Sequence, residues 1–122
     1  MNLFHHIRLE LARERGHPAG DPTEGFDIVA PLDAEGRLDG SALRAEPERA
    51  HVRSFSGGDT VGSGRLKHGP GGQWSLDLDG GDAEDARGFR FSEERFVAGE
   101  YVSLTLPTGE QHTYVVARVS EV

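Results

Sequence analysis

The chain has 122 residues, with 13 basic side chains against 21 acidic ones and a formal charge of −8. That length fits one domain able to bury its own core. The absence of cysteine excludes disulfides, thiolate metal sites and a cysteine nucleophile. An acidic chain is poorly suited to non-specific binding of nucleic acid or an anionic membrane, because both need net cationic attraction.

The longest uninterrupted apolar run is Tyr114-Val115-Val116-Ala117, far short of the roughly 20 residues of a membrane-spanning helix. Residues 1–16 lack the continuous apolar stretch of a secretory leader and contain Glu10 and Glu14. No lipidation motif stands at either end. A cytoplasmic, bacterial protein without a cofactor is the expectation.

Glycines and prolines recur every few residues, which is the rhythm of strands and turns. Residues 3–13 place Leu3, Ile7, Leu9 and Leu11 on alternate positions. A helix through Leu3, Phe4, Ile7 and Leu11 would leave Leu9 wet, so a strand is preferred. Residues 16–25 (GHPAGDPTEG) read as a loop and residues 26–32 (FDIVAPL) as a second strand. Pro31 lacks a donor and belongs at an edge or bulge. Asp33-Ala34-Glu35-Gly36 reads as a type I turn closed by a left-handed glycine. Asp39 is a candidate cap for a short helix that Pro47 interrupts.

Residues 51–55 (HVRSF) form a further strand, and residues 56–64 (SGGDTVGSG) read as a flexible connector. Trp74, Leu76 and Leu78 alternate with Ser75, Asp77 and Asp79. Residues 80–88 are an acidic loop, Phe89 and Phe91 share a strand face, and residues 92–95 suit one helical turn. The clearest hairpin joins residues 101–106 to 112–119 across Pro107-Thr108-Gly109-Glu110. Val115, Ala117 and Val119 are expected to face inward on its second arm.

Seven or eight short strands with one-sided alternation predict an all-β domain spanning the whole chain, with one or two short helical turns. A small antiparallel β-barrel is the leading architecture, because closure removes strand edges. A two-sheet sandwich is the alternative.

Four stretches, HHIRLEL (5–11), FDIVAPLD (26–33), RFVAGEYVSL (95–104) and HTYVVARV (112–119), together resemble an uncharacterised bacterial family of compact β-proteins. The resemblance implies a fold and no activity. The segment GEYVSL with HTYVVARV is similar to the terminal hairpin of SH3-like small barrels, which likewise speaks only to fold.

The chemistry-bearing candidates are few. Among the six histidines, His5, His6, His51, His68 and His112 fall on or beside expected strands and are the candidate metal ligands. Adjacent His5 and His6 point to opposite faces of a strand, and neither an HxH nor an HExxH spacing occurs. The segment SGGDTVGSGRLK lacks the spacing of a phosphate-binding loop. DLDGGDAED begins like a calcium loop but carries Gly88 where the closing glutamate belongs. No serine stands in a GxSxG context.

Residues 41–68 are locally basic and residues 73–94 strongly acidic. Arg49, Arg53, Arg65 and Lys67 therefore form a candidate surface for an anion or a partner. The leading functional reading is a non-enzymatic interaction or accessory module that binds a protein or peptide, as a monomer or homodimer, with no nucleic acid and no membrane. Two alternatives stay open. One is a metal or small-anion binder using strand histidines and arginines, and the other is a small enzyme whose site forms only on folding.

Overall fold

The computed structural model describes residues 3–13, 18–68, 74–79, 89–91, 95–105 and 111–122, and from residue 67 to 91 the description extends to the backbone only. The domain is all-β. Its strands are β1 (Phe4–Leu11), β2 (Asp21–Pro31), β3 (His51–Ser56), β4 (Asp59–His68), β5 (Trp74–Asp79), β6 (Phe89–Phe91), β7 (Tyr101–Thr105) and β8 (Gln111–Glu121). A six-strand antiparallel sheet runs in the order β7-β8-β1-β2-β3-β4. Strand β5 pairs with β4 and β6 with β5, and β6 meets β7 where Arg90 stands opposite Thr105.

The inner face follows from period-two alternation. Ile7, Leu9 and Leu11 of β1 are buried with Phe26, Ile28 and Ala30 of β2, Val52 of β3, Leu66 of β4 and Val102 and Leu104 of β7. Each such side chain contributes about 1.5–3 kcal/mol of burial. The expected inward positions on β5 and β6, from Trp74 to Phe91, lie outside the described side chains.

Strand β8 corrects the expected pattern. Tyr114 and Val116 are buried, Ala117 is exposed and Val115 is half-buried. The cause is a one-residue irregularity: Arg8 pairs with Arg118, while Leu9 pairs with Val116, so Ala117 has no opposite number. A bulge reverses the parity of everything before it. Val119, beyond the bulge, packs against the core as expected.

Two stretches read as loops are strand. Asp21 to Gly25 belong to β2, and the glycine-rich residues 59–64 belong to β4, with Gly57 and Gly58 making the tight turn from β3 at positive φ. Gly25 is required by close approach, since a Cβ there would lie 1.9 Å from the Leu9 carbonyl oxygen. Pro31 sits where β2 has lost its β3 neighbour, so its missing donor costs no ladder bond.

The turn at Asp33 forms as expected, with Gly36 at φ 85° and its N–H donating to the Asp33 carbonyl at 3.1 Å. Asp39 caps helix α1 (Gly40–Ala45) by accepting from the Ser41 and Ala42 amides at 3.0 and 3.1 Å. A single 3-10 turn, Pro47–Arg49, leads into β3. Residues 95–97 have no regular secondary structure, so the expected helical turn does not include Arg95, and residues 92–94 lie outside the described residues. The acidic loop 80–88 and the turn 106–110 also lie outside them. Among the described residues, no helix is long and apolar enough to cross a membrane.

Candidate functional site

Strand β1 carries His6, Arg8 and Glu10 on the face opposite its buried Ile7, Leu9 and Leu11. The register extends this outer face across five strands. One row reads Ser120, His6, Val29, His51, Arg65 from β8 to β4, and the next reads Arg118, Arg8, Asp27, Arg53, Ser63. Paired residues share a face, so the two rows form one polar patch. The two rows hold four guanidiniums and one carboxylate, with Glu10 beside them on β1, in a chain whose total charge is −8.

Asp27 is the centre of the patch and is only 9% exposed. A carboxylate so nearly dehydrated needs charged donors around it. His6 Nε2 donates to Oδ1 at 3.2 Å, Arg53 Nη2 donates to Oδ2, and Arg8 Nη1 lies 3.6 Å from Oδ2. The arginines are themselves fixed: Arg53 Nη1 donates to Thr60 Oγ1 at 3.0 Å, and Arg8 Nε donates to Glu10 Oε2 at 2.8 Å. Below them lies Phe55, whose ring centroid is 4.3 Å from the Arg8 guanidinium carbon and 5.7 Å from that of Arg53. Phe55 is thus buried on the outer face beneath two cations.

A concavity of about 500 Å³ opens beside this cluster, lined by His6, Asp27, Val29, His51, Arg53 and the end of β8. Ser120 supplies a hydroxyl there and Glu121 a second carboxylate. Among the described residues, His51, Arg65 and Arg118 are exposed and have no hydrogen-bond or ion-pair partner. The face therefore carries two kinds of basic group. Arg8, Arg53 and His6 are engaged by Asp27, whereas His51, Arg65 and Arg118 are exposed and have no such acceptor among the described side chains. The register sets an acidic border next to them, with Asp77 opposite Arg65 and Asp79 opposite Ser63.

The candidates from the sequence divide accordingly. His6, His51, Arg53 and Arg65 come together on the outer face. His5 does not join them; its Nδ1 donates to the Leu3 carbonyl at 2.8 Å and it lines a separate depression beside Asp33 and Arg95. His112 lies at the start of β8, opposite Leu104. Arg49 stacks on the ring of Phe4 at 4.1 Å and binds Glu46 at 2.7 Å, at the end of the patch by α1. The side chains of Lys67 and His68 lie outside the described residues. Among the described residues, no three histidine or carboxylate side chains gather as a metal site. His6, Asp27 and Ser120 line the same concavity, and the imidazole is hydrogen-bonded to Asp27.

Sequence reasoning missed Arg8, Asp27 and Arg118. Their alternation with Ile7, Ile28 and Val119 was visible, but only the register shows that they meet. Comparison with protein-family models, with curated proteins and with solved structures gives no match to this chain.

Proposed function

We propose that this protein is a non-enzymatic binding module, a small closed β-barrel whose outer face across β8, β1, β2, β3 and β4 docks an acidic segment of a partner protein. Closure is supported by strand pairing that proceeds from each strand to the next and returns from β8 to β1. The observation that carries the function is the pair of cross-strand rows. They concentrate Arg8, Arg53, Arg65, Arg118, His6 and His51 on one side of a strongly acidic chain. Such segregation steers an anionic partner to one face and turns away partners presented to the others. A long polyanion such as nucleic acid fits less well, because beyond this face it meets the remaining acidic surface.

The anion-binding alternative shares this face and is separated by ligand size. The test is fluorescence anisotropy with a labelled glutamate-rich peptide and a neutral peptide of equal length. Selective binding of the acidic peptide that weakens with added salt is expected. Equal binding of both peptides, or binding of neither, overturns the proposal.

A further inference from the structure

We infer that the partner segment lies in extended form across the strands and is gripped at two separated points, by Arg118 at one end and by His51 with Arg65 at the other. This inference rests on the proposed docking face and adds its geometry. The reason is the division of labour among the basic groups. Arg8, Arg53 and His6 already serve Asp27, and both terminal nitrogens of Arg53 have acceptors. A planar carboxylate arriving at the centre finds no free guanidinium fork there.

The groups without a partner among the described residues stand at the flanks, Arg118 on β8 and His51 with Arg65 on β3 and β4. Strands lie about 4.8 Å apart, so the two ends of the face are separated by about 15–20 Å along the sheet. An extended chain covers that distance in about five residues. Between the flanks lies the concavity over Val29, which accepts an uncharged side chain with His6 and Ser120 at its margin. On the far side of Arg65 the register places Asp77, which marks the end of the basic row.

The experiment is a spacing series read by anisotropy. Peptides of equal length and charge carry two glutamates separated by one, by about five or by about ten uncharged residues. The middle spacing is expected to bind roughly fivefold more tightly than either of the others, as two modest exposed ion pairs allow. In Arg118→Gln and in Arg65→Gln that preference is expected to disappear, while the melting temperature holds because both side chains are exposed.

Acidic peptides that bind equally at every spacing overturn the two-point grip and leave the acidic docking face standing. No binding of any acidic peptide removes both. Inorganic phosphate that displaces the best peptide completely at matched charge concentration shows a lone-anion site, and also overturns the extended grip.

Discussion

Asp27 and Ile28 are neighbours in β2, and they belong to different worlds. Ile28 is 1% exposed and stands opposite Ile7 and Val52 in the apolar interior. Asp27 stands opposite Arg8 and Arg53, with all of its interactions polar. One step along a pleated strand turns the side chain through the sheet. The same β1-β2-β3 ladder therefore supports cohesion on one side and recognition on the other, and each side can be perturbed without editing its neighbour.

The largest expected effect is on the inner side. Ile28→Ala removes branched aliphatic volume from a fully buried position and leaves a cavity, which costs about 2–5 kcal/mol. Denaturant titration followed by circular dichroism reads this as a lower midpoint with an unchanged slope. Binding of the glutamate-rich peptide to the remaining folded protein is expected to stay the same. A variant that melts normally but loses the peptide would erase the separation of the two faces.

Asp27→Ala comes next. It removes the acceptor shared by His6, Arg8 and Arg53 and leaves the Arg53 guanidinium without its counter-charge, while Arg8 keeps Glu10. Its cost is about 1–3 kcal/mol, as for hydrogen bonds to charged groups, and below that of Ile28→Ala because Arg53 and His6 keep access to water. Removing a carboxylate from the middle of a basic face is also expected to tighten acidic-peptide binding at low salt. A fall in both stability and affinity would mean that Asp27 holds the binding groups in place, and the contrast between engaged and uncommitted arginines would need redrawing.

The inner side was largely legible in the sequence and the outer side was not. Strand β1, the FDIVAP stretch of β2, the turn at Gly36, the Asp39 cap and the β7-β8 pairing all follow from alternation, turn chemistry or capping, which are local rules. The errors arose where composition misled or parity slipped. Residues 59–64 contain three glycines or serines in a row, Gly62-Ser63-Gly64, and read as a linker, yet their backbones complete the ladder on β3. The bulge at Ala117 exchanged Val115 for Val116 in the core, and no residue type there announces it. The outer cluster depends on register across five strands, so Arg8 and Arg118, 110 positions apart, meet only when β8 pairs with β1.

Arg118→Gln is expected to have the smallest effect on stability, and it separates the two faces most sharply. Arg118 stands directly opposite Arg8, and like charges in a cross-strand pair destabilise a sheet. Arg8 is compensated by Glu10 and Asp27, whereas Arg118 has no counter-ion among the described residues. Neutralising it is therefore expected to leave the melting temperature unchanged or raise it slightly, within about 0.5 kcal/mol. Acidic-peptide binding is expected to weaken in the same variant. A group that costs the fold a little and helps the bound state is kept for what it binds. If Arg118→Gln instead lowers the melting temperature and leaves the peptide affinity intact, the uncommitted arginine is a structural element, and the proposed grip loses the end it needs on β8.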